Sequence, residues 1–176
     1  MTEKIGFDGE VAEVAGRLTL RFPQEASAQL PSRGQVAVHA VLDGHGFDTV
    51  LEPDGMRGHW LSIDDGLRDA LGLEGGSSAS LEVEPSRSWP EPRVPDDLRE
   101  ALDAAPDLAE TWRDITPMAR WEWVRWVGAT KSPVTRAKRV AVSISKLRDG
   151  KRRPCCFDLS SCTDPELAKS GKLISA

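Results

Sequence analysis

Between residues 17 and 84 the chain alternates apolar and polar positions in short runs. Residues 17–22 (RLTLRF), 35–42 (QVAVHAVL), 47–51 (FDTVL), 59–63 (HWLSI) and 80–84 (SLEVE) repeat with a period of two, the spacing that sends successive side chains to opposite faces of a strand. Turn-forming stretches separate them, Asp43-Gly44-His45-Gly46 and Asp54-Gly55. One helix interrupts the strands: Asp64 or Asp65 is placed to cap residues 66–71, Leu67, Ala70 and Leu71 share a face, and Gly72 ends it. Short strands at regular spacing predict a small barrel or sandwich.

The period changes after residues 86–95 (SRSWPEPRVP), where three prolines in ten residues stop both strand and helix and favour an extended spacer. Four helical segments follow. Asp96 or Asp97 opens the first, which ends near Pro106, and residues 108–115 form the second. Thr116-Pro117 and Ser132-Pro133 each supply an N-cap followed by a first-turn proline for the third and fourth, with Gly150 as the last stop. On the fourth, Val134, Ala137, Val140, Ala141, Ile144 and Leu147 recur at helical spacing as a buried stripe, while Arg136, Arg139, Ser143 and Lys146 gather on a different face. On the third, Met118, Trp121, Trp123, Val124, Trp126 and Val127 surround most of the axis, which marks the centre of a bundle. The expected fold class is α+β, a small N-terminal β-barrel followed by a C-terminal α-helical bundle. Its expected parts are a barrel domain over 1–85, a linker over 86–95, a helical domain over 96–153 and a cysteine-containing tail over 154–176.

Composition adds limits. Of 176 residues, 39% are hydrophobic and 29% charged, enough apolar material for a core. No apolar run approaches the roughly 20 residues of a membrane span, and the first residues lack the basic start and apolar middle of a signal peptide. Three cysteines confined to the tail suit a reducing compartment, and a cytoplasmic location without membrane insertion is expected. The net charge of -5 hides a division. Acidic residues outnumber basic ones by more than two to one up to Pro92, whereas from Arg120 to Arg153 only Glu122 and Asp149 oppose the basic residues. Such asymmetry points to an anionic partner for the second half, or to attraction between the halves.

The order of elements in the second half, a VPDDL start, an ITPMARWEWVRWV helix, then ATKSPVTRAKRV and KLRDGKR, resembles the C-terminal domain of the YdeI/OmpD-associated (bacteriocin-protection) family. The segment ATKSPVTRAKR matches that family's basic pattern at Ala129, Lys131, Thr135, Arg136, Lys138 and Arg139. The succession from GQVAVHAVLDGHGFDTVL to SSASLEVE resembles the small β-barrel domain of unknown function that often precedes it, a double-split barrel related in architecture to AbrB-like swapped-hairpin folds. Gly75-Gly76-Ser77-Ser78 stands where that domain usually has Gly-Asp. The resemblance implies a part in bacterial tolerance of antimicrobial peptides or similar stress, and it implies no reaction.

The candidate chemistry is a basic face of Arg125, Lys131, Arg136, Lys138 and Arg139, since arginine forks suit phosphates and carboxylates and the helix start at Ser132 offers free N–H groups. The competing reading is of solvated helix charges paired with the acidic first half. Trp123 and Trp126 beside Arg125 are the aromatic candidates for stacking, against a reading of Trp112, Trp121, Trp123 and Trp126 as core. Cys155, Cys156 and Cys162 offer three thiols beside Lys151, Arg152 and Arg153, without the paired spacing of a structural zinc site. His39, His45 and His59 read as surface or satisfied core residues. No nucleophile elbow, phosphate loop or dinucleotide fingerprint is present. The expectation is a non-catalytic binding protein without a cofactor, its partner an acidic protein segment or a small anionic ligand. A nucleic-acid-binding regulator and a thiol-based redox or metal-binding protein are the alternatives.

Overall fold

The computed structural model describes residues 3–154, 164–169 and 172–174. The chain divides into two compact units, Met1–Pro90 with Asp158–Ala176, and Glu91–Phe157. The first is a strand unit. Its strands β1 (Ile5–Glu10), β2 (Ala12–Val14), β3 (Arg17–Arg21), β4 (Val36–Leu42), β5 (His45–Pro53), β6 (His59–Ile63) and β7 (Ser78–Pro85) form one antiparallel sheet in the order β1-β7-β4-β5-β6-β3-β2. The sheet curls into a half-barrel because β5 serves two neighbours in turn. Its first part pairs with β4 from His45 to Leu51, and its last residues, Glu52 and Pro53, pair with β6. The interior holds Val11, Leu20, Leu42, Leu51, Leu61 and Val83, all fully or almost fully buried.

All five expected strands are present, and two more precede them. In β1 the alternation Ile5, Phe7, Gly9 breaks at a glycine, and the fold requires one there: a Cβ on Gly9 would lie 3.0 Å from the Leu20 side chain across the barrel. The β2–β3 hairpin turns on Ala15 and Gly16, both at positive φ, and the β4–β5 hairpin on Asp43 and Gly44 in the same way. His45 and Gly46, expected in that second turn, therefore already belong to β5. A five-residue helix α1 (Gln24–Ala28) was too short to show a period. Helix α2 (Asp65–Leu71) has Asp64 as its cap, accepting from the Leu67 N–H, and Gly72 as its left-handed stop. Leu67 is buried there as expected, but Ala70 is exposed.

The described C-terminal segment belongs to this unit. A 3₁₀ turn (Pro165–Leu167) and the short strands β8 (Ala168–Lys169) and β9 (Lys172–Leu173) place Leu167 and Leu173 against Val14 and Trp60. Trp60 alternates with His59 and Leu61 along β6 and so takes the face opposite the barrel interior, yet it is only 1% exposed. Polar contacts fix the segment: Arg17 Nη1 to Asp164 at 2.8 Å, Arg21 Nη2 to the Leu173 carbonyl at 2.5 Å, and Leu173 N–H to the Asp54 carbonyl at 2.9 Å.

The second unit is helical: α3 (Asp96–Asp103), a 3₁₀ turn (Pro106–Leu108), α4 (Ala109–Asp114), α5 (Pro117–Val127) and α6 (Pro133–Arg148). Thr116 and Ser132 cap α5 and α6 as their sequences predict, accepting from Ala119 N–H and Thr135 N–H. Every residue of α5 after Met118 is at least half-buried, so it is the centre of the bundle. Two expectations need correction. Asp96 and Asp97 stand in the first turn of α3, whose N-cap is Pro95; Asp97 Oδ1 accepts from the Leu98 N–H there, but neither residue holds the N-cap position. On α6 the packed stripe is rotated: Val140, Ser143 and Leu147 are buried with Arg136, Arg139 and Ile144 half-buried, whereas Val134, Ala137 and Ala141 are exposed. Of the residues assigned to the polar face, Arg136, Arg139 and Lys146 flank the contact, received by Asp97 on α3 and Trp126 on α5, while Ser143 lies within it with its hydroxyl donating to the Arg139 carbonyl. Among the described residues no helix is long and apolar enough to cross a membrane.

Leu167→Ala should destabilise the strand unit by about 2–5 kcal/mol, the usual cost of emptying a filled apolar site. Urea unfolding measured on the full chain checks this; an unchanged midpoint would mean that the C-terminal segment adds nothing to the packing over Trp60.

Candidate functional site

The helical unit sorts its cations into committed and available ones. Arg120, 8% exposed, is the most committed. Its Nε and Nη2 donate to the two carboxylate oxygens of Glu91 at 2.9 and 2.5 Å, and its Nη1 donates to the carbonyls of Trp112, Arg113 and Ile115 at the end of α4. Arg136 donates to both oxygens of Asp97, at 2.6 and 3.2 Å. Arg148 clasps Asp107 at 2.8 and 3.0 Å, Arg152 meets Asp114 at 3.1 Å, and Arg153 Nε donates to Glu122 at 2.6 Å. All of these carboxylates lie in the helical unit, and one of them, Glu91, comes from the stretch up to Pro92 that the sequence marks as acidic. The hydrogen bonds from Arg136 and Arg148 hold the Asp97 and Asp107 carboxyls below the usual carboxylate range.

Of the expected site residues, the structure therefore brings only some together. Trp123 is wholly buried and donates Nε1–H to the Arg152 carbonyl at 2.9 Å, so it belongs to the core. Arg125 is buried as well, and Arg136 is held by Asp97. Arg139 and Trp126 do meet. The Arg139 guanidinium lies 5.4 Å from the indole centroid while its Nη1 donates to the Trp126 carbonyl at 2.8 Å. Lys146 joins them, its ammonium 5.7 Å from the same centroid, two turns further along α6. Lys131 and Lys138 are exposed, and among the described residues they form no ion pair. Cys155, Cys156 and Cys162 lie outside the described residues.

The strand unit carries a concavity that the sequence did not announce. A cleft of about 670 Å³ lies among α1, the loop after it and the β5–β6 loop, lined by Arg21, Phe22, Ser27, Arg33, Asp54 and Arg57 among others. Behind Ser27 stands His59, 1% exposed, whose Nδ1 is hydrogen-bonded to Ser27 Oγ and whose Nε2 lies 3.0 Å from the Gly34 carbonyl. Burial pushes the His59 pKa down, which keeps the ring neutral near pH 7. His39 and His45 are exposed, His39 with Asp48 at 2.8 Å.

Both units match known domains. Residues 91–150 match the family described as Bacteriocin-protection, YdeI or OmpD-Associated, and residues 7–83 match a Domain of unknown function (DUF1905). The chain carries a YdeI/OmpD-associated domain preceded by a DUF1905 domain. No curated relative matches it. The DUF1905 match covers all seven strands of the half-barrel apart from the ends of β1 and β7, and the YdeI/OmpD-associated match begins at Glu91, the partner of Arg120.

Lys146 was visible on the face of α6 that also carries Arg139, but only the position of Trp126 one helix away makes the two a pair. Ser27, Arg33 and Arg57 carried no signal at all, because no motif or period links a short helix to two loops.

The division of cations in the YdeI/OmpD-associated domain is testable. Arg120→Ala should cost about 1–3 kcal/mol, chiefly because the α4 carbonyls lose their buried donor while the exposed Glu91 carboxylate regains water, whereas Arg139→Gln should cost under about 1 kcal/mol; equal losses in chemical unfolding would refute the distinction. The Asp97–Arg136 pair has a signed pH dependence. Folding lowers the Asp97 pKa, so the pair stabilises above the ordinary carboxylate range, and that contribution is lost as pH falls through the depressed folded-state value. Asp97→Asn should therefore lose less stability than the parent on acidification below about pH 4, in midpoints measured across the acid range; parallel curves would argue against the pair.

Proposed function

We propose that this YdeI/OmpD-associated protein is a non-catalytic binding protein of the bacterial cytoplasm, and that its helical domain takes an acidic segment of a partner protein. The observation that carries this reading is the pair of cations, Arg139 and Lys146, held on one half-buried indole and, among the described residues, paired with no carboxylate. A cation left over an aromatic face keeps its charge available to an arriving carboxylate while its side chain is already ordered, which lowers the entropy lost on binding. Lys131 and Lys138, exposed near the start of α6, extend the positive surface along the same helix. Arg125, Arg136 and Trp123 support the surface from within the bundle.

The family description ties this domain to bacteriocin protection. Tolerance of antimicrobial peptides or similar stress then works through the acidic partner, because a basic surface repels peptides that are themselves cationic. The acidic balance of the whole chain, net charge -5, disfavours nucleic acid as the occupant.

The test is fluorescence anisotropy with a labelled oligoglutamate peptide, run beside a labelled single-stranded oligonucleotide of equal charge. The peptide should bind the parent at low salt, and the Arg139→Gln, Lys146→Gln variant should bind it about tenfold more weakly, a loss of about 1.4 kcal/mol. Unchanged binding removes the proposed surface, and tighter binding of the oligonucleotide with a steep salt dependence moves the assignment to nucleic acid.

A further inference from the structure

The cleft of the strand unit has a chemistry separate from the helical surface. Arg33 and Arg57 stand exposed at it, and among the described residues neither forms an ion pair. Arg21 adds a third guanidinium, anchored through Nη2 on the Leu173 carbonyl. Among the described residues Asp54 is the one carboxylate of the lining, and one of its oxygens is occupied. Its Oδ1 accepts from Met56 N–H at 2.7 Å and from Gly58 N–H at 2.9 Å, which folds the β5–β6 loop around the carboxylate. That fold leaves no room at Gly58, where a Cβ would lie 2.6 Å from Asp54 Oδ2, and it carries Arg57 at a positive φ of 71°. The loop is thus shaped by its own buried acid, with Arg57 displayed from it.

Ser27 determines what else a ligand must bring. His59 faces a carbonyl at Nε2, and a carbonyl only accepts, so the ring proton resides on Nε2 and Nδ1 carries a lone pair. The hydrogen bond between Nδ1 and Ser27 therefore uses the serine proton. With its proton committed, the Ser27 oxygen has only lone pairs left to offer the cleft. Phe22 and Leu30, both buried, give the lining an apolar component.

We propose that this cleft binds a small anion that also carries hydroxyl or amide donors, the class of phosphorylated or carboxylated polyols, with Arg33 and Arg57 on the anionic group and Ser27 accepting from a ligand hydroxyl. The volume of about 670 Å³ lies within the range of small-molecule sites. A bare inorganic anion satisfies the arginines and leaves Ser27 unused; a neutral polyol does the reverse.

Isothermal titration of the full chain with glucose 6-phosphate, glycerol 3-phosphate and gluconate, beside glucose and inorganic phosphate, tests the assignment. At least one of the three hydroxylated anions should bind saturably and about tenfold more tightly than glucose or phosphate. The Arg33→Gln, Arg57→Gln variant, altered only at exposed positions, should lose that binding while keeping the parent melting temperature. Ser27→Ala should weaken the hydroxylated anion and leave inorganic phosphate unchanged, with circular dichroism confirming that it folds. The Arg139→Gln, Lys146→Gln variant should bind these ligands normally, which separates this site from the helical surface. No binding by any of the three anions, or equal binding by the Arg33→Gln, Arg57→Gln variant, overturns the proposal.

Discussion

A cation cannot be taken out of water without a partner, and in the helical unit that rule decides both the packing and what is left for recognition. Arg120 shows its structural use. One guanidinium closes the end of α4 through three carbonyls and ties Glu91, at the entry to the unit, onto α5. The corner between α4 and α5 is thereby a polar joint inside an otherwise apolar bundle of Leu108, Ile115, Trp123 and Leu147. The carbonyls at the end of α4 would otherwise lack partners, since four of them in any helix have none within it. Replacing Arg120 with an apolar side chain would strand these carbonyls, while Glu91, whose side chain is exposed, would return to water.

The strand unit meets a different constraint, the second face of a curled sheet. One face of the half-barrel fills with Leu20, Leu42, Leu51 and Leu61, and the other would be left to water. Around Trp60 it is instead covered, because the C-terminal segment lays Leu167 and Leu173 on the indole and satisfies its own backbone by pairing Leu173 N–H with the Asp54 carbonyl. The same segment holds Arg21 by its Leu173 carbonyl, so the covering of one sheet face also positions a side chain of the cleft.

How much of this was legible follows from the range over which each signal acts. The α+β class, the five strands from β3 to β7, Asp64, Thr116 and Ser132 as caps and Gly72 as a stop are local matters of alternation and capping, and they are found as read. Strand β1 was hidden by Gly9, whose missing side chain is demanded by Leu20 on β3. The stripe on α6 was misplaced for a related reason. Counting apolar residues favours Val134, Ala137 and Ala141, but Asp97 on α3 and Trp126 on α5 draw Arg136, Arg139 and Lys146 toward the packed side. Hydrophobicity alone cannot express that preference, because a guanidinium with a carboxylate, or lying on an indole, is stable at a contact where an isolated one is not.

The basic residues of ATKSPVTRAKR look equivalent in the sequence and are not equivalent in the fold. Arg136 has its charge matched by Asp97 in a two-point contact, so a second anion gains little from it. Arg139 spends one N–H on the Trp126 carbonyl and rests on the ring, as Lys146 does, which puts two like charges at 5.4 and 5.7 Å from one centroid. Water screens their repulsion to roughly 1 kcal/mol or less at such separations, and the indole offsets part of it. An approaching carboxylate therefore meets two ordered cations at once, whereas at Arg136 it would first have to displace a bidentate partner. The same distinction between committed and uncommitted polar groups marks the cleft, where Asp54 Oδ1 and the Ser27 proton are committed and Arg33, Arg57 and the Ser27 lone pairs are not.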